Sequence, residues 1–229
     1  MSGIWILLIL ILTAALPVII VFFWFRVRKS PLTLPWFLVS LAAGIISLLA
    51  AALIQGLLPP FGSGGQDGPG SVFFNVFIRV ALVEEASRLI VLIPLFKLAR
   101  RRHMDRSLGA ALGFAAGLGF ATLENAFYGM ADINITLLRA FTAAPLHGAC
   151  GIRAGAAVFT ASKHPVQALF LFISAILIHG AYNLILESPT LPPLLAALVA
   201  LAALFSSLSS IKAAGRDNED SVAPTSLDP

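Results

Sequence analysis

Hydrophobic runs of about 20 residues, the length that crosses a bilayer as a helix, alternate along this chain with short polar or turn-forming separators. Seven such runs are predicted, at roughly 3–25, 35–58, 72–99, 108–129, 134–161, 165–187 and 191–211. The third and fifth are long and interrupted by polar residues, which suggests tilt or protrusion from the bilayer. Ser30, Pro31 and Pro35 follow the first run, a Pro59–Gly65 stretch rich in proline and glycine follows the second, and Pro189, Pro192 and Pro193 separate the last two; such clusters punctuate helices. The first run lacks a basic leading region and a small-residue cleavage site, so it reads as a retained span rather than a signal peptide. The expected fold is all-α: one polytopic transmembrane bundle over 1–215, a motif-bearing core at about 72–187, and a disordered cytoplasmic tail at 216–229.

Composition supports that class. Hydrophobic residues make up 59% of the 229, charged residues only 11%, and mean hydropathy is +0.94, far from the charge content of a soluble domain. The net charge of +4 reports topology rather than a nucleic-acid partner, and none is expected. Arg26, Arg28, Lys29, Lys97, Arg100, Arg101, Arg102, Arg106, Lys163, Lys212 and Arg216 fall in one set of alternate separators, against Asp67, Asp132 and Glu187 in the other. Basic residues stay on the cytoplasmic side, which predicts an outside amino terminus and an inside carboxyl terminus. A single cysteine, Cys150, excludes an intrachain disulfide. Gly109, Gly113 and Gly117 recur at four-residue spacing, as do Gly151 and Gly155, a pattern for close helix approach.

Against this apolar background stand Glu84, Glu85 and Arg88; Glu124 and Asn125; Arg139 and His147; His179 and Asn183. A charge at mid-bilayer costs at least ~2.5–3.5 kcal/mol, so such residues are rare and line polar interiors. With about 1.5 Å of rise per residue, Glu84, Glu85, His147 and His179 fall at similar depth, and Glu124 and Arg139 in an outer layer. Glu84 and Arg88 share a helix face, as do His179 and Asn183. Adjacent Glu84 and Glu85 diverge by roughly 100°, so one faces a reaction centre while the other pairs with Arg88; spacing does not say which.

These are parts for hydrolysis. A buried carboxylate beside an imidazole is a general base for water, and a second imidazole with an amide one turn away can donate to an oxyanion. No Gly-x-Ser-x-Gly, His-Glu-x-x-His or Gly-x-Gly-Asp motif occurs. One glutamate with two histidines can bind a metal, but the set is scattered and lacks diagnostic spacing; no cofactor is expected, with metal dependence open. Each group also has a structural reading. Glu84 or Glu85 with Arg88, and Glu124 with Arg139, are candidate buried ion pairs; Asn125 and Tyr128 can link helices; Cys150, among small residues, reads as packing. A proton-coupled transporter or membrane scaffold would use the same groups as a relay, although no internal repeat is present.

Taken in order, Glu84-Glu85-Ala86-Ser87-Arg88, the stretch from Gly113 to Tyr128 containing Glu124-Asn125, Arg139 leading to His147-Gly148, and His179-Gly180-Ala181-Tyr182-Asn183 resemble the PrsW family of intramembrane proteases. That family is similar in motif logic to type II CAAX prenyl endopeptidases and bacterial CPBP proteins. The resemblance implies a glutamate-dependent endopeptidase in the bacterial inner membrane that cuts membrane-tethered proteins such as anti-sigma factors. It casts Glu84 or Glu85 with His147 as water activators and His179 with Asn183 as oxyanion donors, supported by Arg88, Glu124, Asn125 and Arg139. Position 88 departs from the pattern: it is arginine where the PrsW motif usually ends in lysine, and the CAAX-type motif also ends in arginine with one more residue between. A CAAX-type protease acting on a prenylated protein or small peptide is the enzymatic alternative.

Overall fold

A computed structural model describes residues 3–27, 32–62, 68–100, 106–130 and 132–222, and these form an all-α bundle. The helices are α1 (Gly3–Val27), α2 (Leu34–Leu57), α3 (Pro69–Phe74), α4 (Val83–Arg100), α5 (Arg106–Gly129), α6 (Ile133–Phe141), α7 (Ala143–Thr160), α8 (Pro165–Glu187) and α9 (Leu194–Val222), with a π-helical segment, Asn75–Leu82, joining α3 to α4. Arg28, Lys29, Asp67, Arg101 and Arg102, on which the predicted orientation partly rests, lie outside the described residues, as does 223–229.

The bundle is built around α5. From Leu108 to Ala121 nearly every residue of this helix is buried, because glycine and alanine dominate it and a helix apolar on all sides is stable only when surrounded. Its main neighbours are α7 and α2. Small-residue packing brings the backbones together: a Cβ on Gly113 would collide with the Gly151 carbonyl, one on Gly117 with the His147 carbonyl, and one on Gly44 with the Ala116 carbonyl. Gly117 therefore sets how closely His147 approaches α5.

The outside of the bundle is apolar. Leu38, Leu49 and Leu53 of α2, Val166, Phe170 and Leu177 of α8, and Leu194 and Phe205 of α9 are all exposed. Monomeric soluble proteins do not expose large apolar patches of this kind; a lipid-facing bundle does. By length and composition α2, α5 and α8 can each cross a membrane, while the apolar stretches within α1 and α9 are shorter.

Two predicted spans differ from expectation. The third is one helical rod from Pro69 to Arg100, but its middle widens into the π-helical segment that ends just before Glu84. The fifth, expected as one helix over 134–161, breaks at Thr142 into α6 and α7. Pro145 favours the break: it has no N–H, and its ring would clash with the carbonyl four residues earlier, at Phe141, a conflict relieved by placing it in the first turn of a new helix. At the carboxyl end, α9 continues as helix to Val222, so 216–222, assigned to a disordered tail, is helical; no proline intervenes before Pro224.

Candidate active site

The site grows from the start of α4. Burial of Glu85 is complete, as is that of Arg88 one turn later, and the two form an ion pair through Glu85 Oε2 and Arg88 NH1. Glu85, rather than the Glu84 that shares its i,i+4 face, is thus the local partner of Arg88. The other guanidinium nitrogen, NH2, lies 3.1 Å from His147 Nδ1 on α7. The fork also stacks 4.4 Å over the Phe120 ring of α5. A lysine ammonium is a single point donor, whereas the planar fork of arginine serves two partners at fixed angles. The arginine at position 88 thereby ties a carboxylate to an imidazole.

Donor and acceptor logic then sets both imidazoles. Arginine only donates, so His147 Nδ1 accepts, and His147 Nε2–H donates to Glu124 Oε2 at 2.8 Å. On α8, His179 Nδ1 lies 2.8 Å from Glu85 Oε1; with Glu85 ionised against Arg88, that nitrogen donates. Each histidine is oriented by its own glutamate. The rings meet edge to face with centroids 4.9 Å apart.

This arrangement leaves two buried donors, Arg88 Nε and Asn125 Nδ2, and one carboxylate oxygen, on Glu84, without a partner. Glu84 Oε1 accepts from Gln55 Nε2 of α2 at 3.0 Å. Glu84 Oε2 is buried with no hydrogen-bond partner. Facing it at 3.6 Å is His179 Nε2, the nitrogen that the Glu85 bond leaves with a lone pair. That separation is beyond hydrogen-bond range. Two acceptor atoms therefore converge on one small volume without engaging each other.

The outer pair is not a separate layer. Glu124 Oε2 receives Arg139 NH2 at 2.6 Å as well as His147, so one hydrogen-bonded network runs from Arg139 to His179, with Glu84 facing its end. Arg139 also donates from Nε to Asn125 Oδ1 at 3.0 Å and lies 4.0 Å over the Tyr128 ring, while Thr136 Oγ1 donates to the Asn125 carbonyl. The break at Thr142 lets short α6 fold back against the end of α5, which puts Arg139 within reach of Glu124.

Seven of the nine predicted site residues join this network, and an eighth, Glu84, faces its His179 end at 3.6 Å. Asn183 lies half-buried one turn beyond His179, and its side chain has no hydrogen-bond partner among the described residues. Cys150 is buried and its thiol points to the Ala175 carbonyl at 3.6 Å; with both His147 nitrogens engaged elsewhere, no cysteine–histidine dyad forms. Gln55 was missed. Its signal is an amide near the end of an otherwise apolar span. Arg79, on the π-helical segment, fixes that end by donating to the Leu58 and Gln55 carbonyls at 3.1 and 2.9 Å, groups a helix terminus leaves unpaired.

The scattered metal-ligand set is gathered by the fold: donor atoms of Glu84, His147 and His179 lie within 4.8 Å of one another. Two nitrogens and a carboxylate oxygen are a donor set suited to a divalent metal such as zinc. The bonds behind the ligands fit as well, since a ligating histidine characteristically donates its other N–H to a carboxylate, as His179 does to Glu85 and His147 does to Glu124. Glu84 Oε2 and His179 Nε2 are free for the purpose; His147 Nδ1 becomes so once Arg88 NH2 releases it.

Comparison with known proteins agrees with the geometry. The chain is 28% identical over 196 residues to Protease PrsW of Clostridioides difficile (strain 630), covering 77% of this chain and 79% of that protein. To Protease PrsW of Bacillus subtilis (strain 168) it is 30% identical over 156 residues, covering 65% and 68%. No solved structure matches. Residues 31–208 match the family described as PrsW family intramembrane metalloprotease; this stretch contains every residue of the network, and the chain therefore belongs to the PrsW family and is an intramembrane protease.

Proposed function

We propose that this protein is an endopeptidase of the bacterial cell membrane that cuts membrane-tethered regulatory proteins, anti-sigma factors among them, at the Glu84–His179 cradle. The observation that carries the reading is the unengaged pair, Glu84 Oε2 and His179 Nε2, buried and aimed at one point while both Glu85 oxygens, Glu124 Oε2, both His147 nitrogens and His179 Nδ1 are bonded.

A water held between these atoms loses a proton to Glu84 Oε2 as its oxygen attacks the scissile carbonyl carbon. Gln55 keeps the carboxylate turned toward the cradle. The proton passes from Glu84 to the amide nitrogen as the C–N bond breaks, so the glutamate ends as it began. Glu85 and Arg88 hold His179 and His147 in their tautomers, positioning rather than reacting. Asn183, on the face of His179 and without another partner, supplies an N–H for the oxyanion. Glu84, His147 and His179 would hold a divalent metal, which when bound supplies Lewis-acid polarisation and a more acidic water. Glu84 is indispensable either way, as proton acceptor or as ligand.

The test is cleavage of a panel of single-pass bacterial membrane proteins, anti-sigma factors included, by the purified chain in proteoliposomes. Cleavage is expected with wild type and lost with Glu84→Gln. Treatment with a chelator followed by zinc should abolish and then restore it. Cleavage that survives in Glu84→Gln would overturn the assignment; cleavage indifferent to chelator would remove the metal and leave the glutamate mechanism. Cleavage confined to prenylated substrates would move the substrate class to the CAAX kind.

A further inference from the structure

Away from the protease site, a pocket of about 240 Å³ opens between the start of α5, the second half of α7, the early turns of α8 and the middle of α9. Two arginines, Arg106 and Arg153, line it together with Ser174, Ser206 and Ser207, and among the described residues no acidic one does. Arg153 is half-buried in an apolar helix, where a cation is normally matched to an anion. Here its NH1 donates to the carbonyls of Ala149 and Ala203 at 3.3 and 3.2 Å and to the Ser207 hydroxyl, and its NH2 donates to Ser206 Oγ at 2.8 Å. All four acceptors are neutral. Among the described residues neither Arg153 nor Arg106 is paired with a carboxylate, whereas Arg88 and Arg139 each are.

We propose that this pocket binds a phosphate-bearing anion, supplied by the headgroup of an anionic phospholipid. The serine hydroxyls and carbonyls orient the Arg153 fork without neutralising it, so its charge remains for a ligand, and Arg106 adds a second cation at the rim. Guanidinium forks match phosphate oxygens in geometry. Depth agrees: Arg153 lies seven residues before the end of α7, roughly 10 Å along the axis, and Arg106 opens α5 at that same end. Basic pockets between membrane helices at this level are headgroup sites. Ile152, Phe170 and Leu171 form the apolar part of the lining, which suits a ligand that carries acyl chains better than a free anion.

The experiment is native mass spectrometry and thermal melting of the full-length protein with phosphatidylglycerol, with phosphatidylcholine, and with phosphatidylcholine plus inorganic phosphate. Phosphatidylglycerol should be retained and should raise the melting temperature. Arg153→Gln should weaken its retention about ten-fold, the loss of one charge-assisted contact, and Arg106→Gln by a smaller factor. Lys163→Gln, an exposed cation outside the pocket, should change nothing. Arg106 makes no side-chain hydrogen bond to a described residue, so its variant keeps the test valid if Arg153→Gln fails to fold. Equal stabilisation by inorganic phosphate alone, lost in both arginine variants, would support the anion site and assign its source to free phosphate. Retention of phosphatidylglycerol that is unchanged in both arginine variants would overturn the proposal.

Discussion

Helix α7 carries two polar regions that treat charge in opposite ways. Around His147 the charges other than Glu84 are answered within the chain: Glu85 by Arg88, Glu124 by Arg139, and each imidazole by a glutamate. Around Arg153, six residues later, the cation meets only hydroxyls and carbonyls. A closed network fixes geometry and leaves one pair of acceptors unengaged, the Glu84–His179 cradle. An open one leaves charge available to something outside the chain. Low dielectric makes both arrangements consequential, since an unanswered charge there is costly.

The comparison can be broken from the closed side first. Glu85→Ala strands Arg88 as a buried charge and should destabilise the protein by about 3–5 kcal/mol, seen as a large fall in melting temperature or failure to accumulate in the membrane. His179→Ala removes one wall of the cradle without leaving an unpaired cation; cleavage should fall by about 10²–10⁴, with a much smaller change in melting than Glu85→Ala. Gly117→Leu forces α5 away from the His147 carbonyl; overpacking of this kind costs about 1–3 kcal/mol and should lower both melting temperature and cleavage. Arg88→Lys keeps the charge but cannot bridge Glu85 and His147 together, and should reduce kcat by about ten-fold, one lost hydrogen bond to a charged group. On the open side, Arg153→Gln in phosphatidylcholine should shift stability least, because the substitution strands no carboxylate.

Which residues converge was legible from the chain; how they face one another was not. Rise along a helix places Glu84, His147 and His179 at one depth from residue counting alone, and the small-residue spacing of Gly113 and Gly117 announces close helix packing, though not its partner. Rotation is another matter. The π-helical segment Asn75–Leu82 resets the azimuth just before Glu84, and no composition signal marks it, so Glu84 and Glu85 could not be told apart. The break at Thr142 follows from Pro145, a residue that in sequence reads equally as a kink within one long span. It carries Arg139 inward and merges two expected layers into one. Gln55 and Arg153 went unnoticed for a shared reason: a lone polar group in an apolar run acquires meaning only from partners on other helices, Glu84 in one case and Ser206 with Ser207 in the other.

The most direct test of the central claim is to measure cleavage and melting temperature on the same preparation of Glu84→Gln. Glu84 Oε2 has no partner to lose, and a glutamine retains an oxygen to accept from Gln55. The account therefore predicts cleavage reduced by at least about 10² with melting temperature unchanged or raised. Retained cleavage, or a collapse in melting temperature like that of Glu85→Ala, would show Glu84 to be a structural carboxylate and contradict the account.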